Sequence, residues 1–241
     1  MSSQVLTARR SYLFGNLFPH SLALGFTGRN DGNMSFSSGD TSQTSTSRAD
    51  FLNAFGADES RLVCARQVHG DTVVCVDSSD TDIPDCDALI TGRRRLPLAV
   101  FTADCLPVFL YDAQRQVVAI VHAGWRGTRA NIAGKTVQAM MKQFGCQPED
   151  IYAGFGPAIR SCCYEVGEEF RDFFKTGVSE KDGKYFFDLA AANKEQLRKR
   201  EIKEENIFDS RICTSCRNEE YFSYRREGGS CGRSMSVVFL R

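Results

Sequence analysis

Residues 98–128, LAVFTADCLPVFLYDAQRQVVAIVHAGWRGT, say more about the fold than any other stretch of the chain. Residues 98–103, 108–111 and 117–121 each read as a short buried strand of apolar and β-branched residues. Only Asp104-Cys-Leu-Pro and Asp112-Ala-Gln-Arg separate them, and connections that short predict an antiparallel meander. In a meander the first and third strands run the same way. Cys105 and His122, each just past the end of one of them, then emerge at the same sheet edge, two strand spacings or roughly 9–10 Å apart. Two inward-leaning side chains, with metal bonds of about 2.1–2.3 Å, span such a gap to one zinc ion.

Beyond His122, the segment Ala-Gly-Trp-Arg-Gly-Thr feeds a predicted helix that runs to about Phe144. Its apolar positions are Ile132, Ala133, Val137, Met140, Met141 and Phe144, and Gly145 stops it. Upstream, residues 62–68 and 72–76 flank His69-Gly-Asp as two strands joined by a tight turn, which puts His69 at a strand end. Residues 35–47, rich in Ser, Thr, Gly and Asp, read as an exposed loop before a helix near 49–55. Further strands are predicted near 151–155, 221–225 and 236–240, and helices near 167–174 and 189–200. Mixed elements without βαβ alternation indicate an α+β fold, read as one domain over residues 1–241.

Bulk properties narrow the function. Lys plus Arg and Asp plus Glu are 30 each, so no overall field draws the chain to nucleic acid or to an acidic membrane. Arg9 and Arg10 precede no clean apolar run of secretory length, and the most apolar stretch, 96–111, is interrupted by Thr102, Asp104 and Pro107. A cytoplasmic protein without a membrane span is expected. In that setting ten cysteines are free thiols, metal ligands or catalytic groups rather than a disulfide framework.

Of three histidines, His69 and His122 sit beside glycine at predicted strand ends, with Cys105 between them in sequence. Imidazole and thiolate are zinc's preferred donors, and three protein ligands leave a fourth position open, the pattern of a catalytic site. The plainer alternative is a core cysteine with two turn-capping histidines. A second functional reading makes Cys105 a nucleophile and His122 or His69 its base, without metal. Cys213-Thr-Ser-Cys216 has C-x-x-C form but no second pair at zinc-knuckle spacing, and Cys162-Cys163 reads as buried packing. Trp125 and Arg126 at a helix start suit a base and a phosphate, and Arg225-Arg226 with Gly228, Gly229, Gly232 and Arg233 suits an anion or a solvated basic hairpin.

Gln67-Val-His-Gly, Asp85-Cys-Asp-Ala-Leu-Ile-Thr, Thr102-Ala-Asp-Cys-Leu-Pro, Val121-His-Ala-Gly-Trp-Arg-Gly-Thr, Gly156-Pro-Ala-Ile and Cys163-Tyr-Glu-Val occur in this order. Cys213-Thr, Tyr221-Phe-Ser-Tyr-Arg-Arg and Gly232-Arg follow. Together they resemble the signature blocks of the laccase-domain family, also called the polyphenol oxidase or YfiH-like family, along nearly the whole chain. The resemblance implies a YfiH-like fold of mixed sheets flanked by helices and metal ligands at His69, Cys105 and His122. It also implies zinc-dependent phosphorolysis of adenosine, inosine, guanosine and methylthioadenosine, with adenosine deamination alongside. The usual zinc-deaminase signature is absent, so Asp104, next to Cys105, is the expected base. Arg126, Arg225 and Arg29 are the candidate phosphate clamp, although Phe26-Thr-Gly-Arg departs from the family's usual threonine-arginine and glycine pair. Nucleoside and phosphate are thus the expected partners. A deamidase or other cysteine hydrolase using Cys105 and His122 is the alternative, a chemistry associated with the same fold in bacterial toxins. The oxidase name is limited by counting. A trinuclear copper enzyme needs about ten histidines, and this chain has three. One copper in the same site remains compatible with the donor set.

Overall fold

The computed structural model describes residues 21–35 and 41–241. Its strands are β1 (Leu22–Phe26), β2 (Val63–Cys64), β3 (Val73–Cys75), β4 (Ala88–Thr91), β5 (Leu98–Thr102), β6 (Leu106–Asp112) and β7 (Val117–Ala123). They continue with β8 (Ile151–Phe155), β9 (Glu165–Val166), β10 (Val178–Lys181), β11 (Lys184–Phe187), β12 (Ile207–Asp209) and β13 (Ser234–Leu240). They form a six-stranded sheet in the order β12-β8-β6-β7-β4-β3, a four-stranded sheet β1-β13-β5-β2 and a small sheet β10-β11-β9.

The two larger sheets lie face to face between helices, and side-chain alternation assigns the layers. From β6, Leu106, Val108 and Leu110 point to one face and pack with Ile132, Ala133, Val137 and Met140 of the helix Ile132–Phe144 and with Leu189 and Leu197 of the helix Leu189–Arg198. Phe109 and Tyr111 point to the other face and meet Leu98 and Val100 of β5 and Val238 of β13. On the outer face of the four-stranded sheet, Ala99, Val237 and Phe239 pack against Phe51 and Leu52 of the helix Thr41–Asn53. Covered on both faces, β6 and β7 are buried at every residue. That is why they read as continuous apolar runs rather than alternating ones.

The α+β fold is as expected, but several local expectations change. β6 and β7 pair antiparallel, as the meander requires, whereas β5 belongs to the other sheet, between β13 and β2. The connection 103–105 therefore crosses between sheets, turning at Asp104 with φ 87°. The His69 segment does the same. β2 pairs with β5 and β3 with β4, so residues 65–72 are a second crossing and not a hairpin turn. Periodicity identifies a strand, but two apolar strands with a short link fit a hairpin or a change of sheet equally well.

The helix expected after Thr128 is Ile132–Phe144, and the segment feeding it forms a short helix of its own, Trp125–Arg129, the two separated at Asn131, which adopts a left-handed φ of 67°. The loop expected over 35–47 passes into the helix Thr41–Asn53. The strand expected at 221–225 is replaced by the short helix Tyr224–Glu227. Its aromatic residues favour a strand locally, but side chains hold the turn: Glu227 accepts from the Ser223 backbone N–H at 3.1 Å and Asp104 from that of Arg225 at 2.7 Å.

Candidate functional site

The two crossings meet at one end of the sandwich. Gln67 ties them together: its side-chain amide donates to the Phe101 carbonyl at 2.8 Å and accepts from the Phe101 N–H at 2.7 Å, docking the His69 turn on β5. His69 is held at φ 59°, an uncommon conformation for a residue with a Cβ. The support is Asp87, fully buried just before β4. Its carboxylate accepts the N–H groups of Val68 (3.3 Å), His69 (3.0 Å) and Gly70 (2.6 Å).

The same carboxylate lies 2.7 Å from His122 Nδ1. This contact fixes the ring and turns Nε2 toward Cys105 as the ring's metal-ligating atom, the arrangement seen around metal-ligating histidines. The β6–β7 register sets Pro107 opposite His122, so Cys105 lies beside the end of β7 by direct strand pairing. Shared placement at one edge was expected, but it spans one strand spacing and not two. Cys105 Sγ is 3.9 Å from His69 Nε2, the His69 and His122 rings are 4.8 Å apart edge to face, and the ligand atoms of all three lie within 4.8 Å of one another. These three residues form a group that can hold a metal ion. The donor set of two imidazoles and a thiolate, with one imidazole oriented by a buried carboxylate, fits zinc or another borderline to soft ion. Gly124 makes the space: a Cβ there would come 3.0 Å from His69 Cδ2 and 3.1 Å from Cys105 Sγ.

Without metal the triad is an ion-pair site. Burial disfavours the Cys105 thiolate, but the His122 and His69 imidazoles outweigh it and bring the thiol down to about 6. Burial likewise disfavours a charged His122, yet the Cys105 thiolate and Asp87 hold it up to about 9. Burial would also raise the Asp87 carboxyl, and its bonds from His122 and the Gly70 and Val68 N–H groups keep it below the usual value.

A cavity of about 710 Å³ opens from the triad, within the range for small-molecule sites. Trp125, Arg126 and Arg225, all expected near substrate, line it, as do Tyr164, Tyr224 and Arg233. Trp125 is half-buried against Phe170 and stacked on Phe173, with the Arg126 guanidinium 4.6 Å from its ring centre. Arg225 reaches the Glu165 carbonyl at 2.9 Å and lies over Tyr164. Arg29 is not part of the lining: it bonds Glu227 at 2.6 Å and the Asn218 carbonyl at 2.9 Å and sits over Phe222. Asp104 does line the cavity, but its carboxylate oxygens are engaged, one by Thr214 Oγ1 at 2.6 Å and the other by the Arg225 N–H at 2.7 Å. Asp87 and Gln67 lie within the sequence motifs, which do not mark them as supports. A lone acid at the head of the apolar run Asp87-Ala-Leu-Ile was the available signal for the first, and nothing local marked the second.

The family model described as multi-copper polyphenol oxidoreductase laccase matches residues 26–241. The chain belongs to this family. Among curated relatives, a purine nucleoside phosphorylase of Clostridium acetobutylicum is 39% identical over 183 residues, covering 73% of this chain and 75% of that protein. An adenosine deaminase, RL5, from an unknown prokaryotic organism is 34% identical over 204 residues, covering 77% of this chain and 78% of its own. The crystal structure of YlmD from Geobacillus stearothermophilus superposes with a TM-score of 0.87 at 31% identity, covering 92% and 93% of the two chains. These likenesses make the chain an enzyme of YfiH-like fold. Among the described residues no helix is long and apolar enough to cross a membrane.

Proposed function

We propose that the chain is a purine nucleoside phosphorylase whose metal centre is His69, Cys105 and His122, with zinc as the resident ion and adenosine deamination as a second activity. One observation carries the reading: the donor triad and three guanidinium groups, Arg126, Arg225 and Arg233, line the same cavity. The relatives named above lend the substrate class. Zinc is favoured over an electron-transfer copper because the triad opens onto a cavity of nucleoside size, which electron transfer does not need. When bound there, zinc supplies a Lewis acid that polarises a substrate atom and acidifies water near neutral pH.

In phosphorolysis a phosphate oxygen forms a bond to C1′ of the ribose as the bond from C1′ to the purine nitrogen breaks. The departing electron pair stays on the base, which then takes up a proton. Arg126 and Arg225, with Arg233 in the same cavity lining, hold phosphate by charge-assisted hydrogen bonds. The exposed ring of Tyr224 offers a face for the purine. Asp104 positions: by accepting from Arg225 and Thr214 it fixes the helix Tyr224–Glu227 over the cavity. Product analysis tests the reading. Protein given inosine or adenosine is expected to release free purine and ribose 1-phosphate only with phosphate present. With adenosine alone it is expected to release inosine and ammonia. Failure of metal-loaded protein to turn over any purine nucleoside overturns it.

The metal-free ion pair supports one other reading, a thiol hydrolase with Cys105 as nucleophile and His122 as general acid and base. It requires a covalent acyl intermediate on Cys105 and activity that survives chelation.

A further inference from the structure

We propose that Cys162, Cys163, Cys213 and Cys216 form a second metal site, a closed tetrathiolate centre for zinc that staples two loops beside the cavity. The four thiols come from two distant segments, Cys163 and Cys216 being 53 positions apart. All four sulfurs lie within 4.8 Å of one another, with Cys216 Sγ 3.3 Å from Cys163 Sγ and 3.5 Å from Cys162 Sγ. A zinc ion with bonds of about 2.3 Å to four tetrahedral thiolates places its sulfurs about 3.8 Å apart, inside this spread. The sequence showed only half of it. One C-x-x-C lacked a partner, and the adjacent pair taken for buried packing supplies it, with Cys162 exposed and Cys163 half-buried.

The local backbone favours ligation over four idle thiols. Cys213 and Cys216 sit on one turn, tied to the first segment by the bridge between Ala158 and Cys213 and by the Thr214 N–H on the Ala158 carbonyl at 3.1 Å. The backbone N–H groups of Cys216 and Arg160 also bond to the Cys213 sulfur. Amides donating to sulfur hold a thiolate in place for a metal. A disulfide would employ two of the four and leave the others crowded against it, whereas one divalent ion uses all four. Exposed Cys162 and Cys216 leave a route for the ion, and Cys213 anchors the site in the interior.

The position gives the site its purpose. The segment ending at Cys163 delivers Tyr164 to the cavity, and the turn starting at Cys213 delivers Thr214 to Asp104. Backbone bonds, core packing and the Arg160–Asp209 pair already join these segments, and an ion binding both fixes one wall of the active cavity. Unlike the His69 site, four protein ligands leave no position for substrate, and the role is structural.

Metal content measures the two sites independently. Zinc-loaded wild-type protein, desalted and analysed by native and inductively coupled plasma mass spectrometry, is expected to hold about two zinc ions per chain. Cys105→Ala should retain about one, and a Cys162→Ser/Cys216→Ser double variant about one. Cobalt added to stripped Cys105→Ala should give the intense thiolate charge-transfer and tetrahedral ligand-field bands of a four-sulfur site. Folded Cys105→Ala protein that holds no zinc and gives no such spectrum overturns the proposal. So does an unreduced mass two hydrogens short, mapping to a disulfide within the cluster. If the double variant fails to fold, Cys105→Ala alone decides. It also separates this site from the proposed activity, since it removes a ligand of the other centre.

Discussion

Asp87→Asn isolates the charge that organises the His69–Cys105–His122 centre while leaving the side chain's shape almost unchanged. Asp87 Oδ1 faces His122 Nδ1 at 2.7 Å and the His69 N–H at 3.0 Å, and Oδ2 faces the N–H groups of Gly70 and Val68. All four partners can donate, and an amide offers only one accepting atom. With its NH2 toward Gly70 and Val68, donors meet donors. With its NH2 toward His122, Nδ1 must become the acceptor, which moves the ring proton to Nε2, the atom needed for metal. Either way an orienting charge-assisted bond is lost, and such outer partners are worth about 10–100-fold in metal affinity or activity, or about 1.4–2.7 kcal/mol at 1.36 kcal/mol per decade. Each backbone N–H left without an acceptor, two in the first orientation and that of His69 in the second, adds roughly 1–3 kcal/mol of lost stability. The assay is a competitive chelator titration of zinc occupancy, with nucleoside turnover measured at limiting and at excess zinc. Zinc should leave the variant at about 10–100-fold lower chelator concentration, and excess zinc should restore part of the turnover. Unchanged zinc affinity in a folded Asp87→Asn protein refutes the reasoning.

Three further perturbations probe the same site. Gly124→Ala keeps an ordinary backbone, φ −74°, but puts a methyl against His69 and Cys105, so metal affinity should fall by about tenfold or more while the melting temperature stays near wild type. In chelator-stripped protein, Cys105 should be alkylated along a pH profile with a midpoint near 6: the thiol is protonated and slow below it, and the thiolate reacts above it. Cys64 and Cys231, pushed up to about 12 and 11, should stay slow at neutral pH, and bound zinc should protect Cys105; peptide mapping by mass spectrometry reads all three. Arg225→Ala should raise the KM for phosphate about tenfold or more, the loss of roughly 1.5–3 kcal/mol from a charge-assisted bond, and spare phosphate-independent deamination. Arg29→Ala, which breaks the Glu227 pair outside the cavity, should leave that KM unchanged.

How much of this was legible in the sequence depended on the range of the interaction. The strands β6 and β7, the helix Ile132–Phe144 with its left-handed Gly145 stop, and the convergence of Cys105 with His122 follow from local periodicity and short connections. Sheet membership did not follow, because β5 pairs with β13, far away in sequence, and β2 joins that sheet through β5. The same limit hid Asp87, whose task is defined by the His69 turn on one side and β7 on the other. It also misplaced Arg29, since the Glu227 that engages it lies 198 positions later. Asp104 was singled out for its place beside Cys105. Its tertiary partners Thr214 and Arg225, which bond both carboxylate oxygens, lie more than a hundred positions later.

Metal reconstitution decides whether the His69–Cys105–His122 centre drives turnover. Stripped protein is loaded with zinc, with copper or with nothing, and ribose 1-phosphate formed from inosine is measured beside Cys105→Ala and His69→Ala treated identically. Turnover should appear with zinc in wild type in proportion to occupancy of the His69–Cys105–His122 site, with neither variant recovering it. Full turnover by stripped protein, or by a zinc-loaded variant lacking a triad ligand, contradicts this.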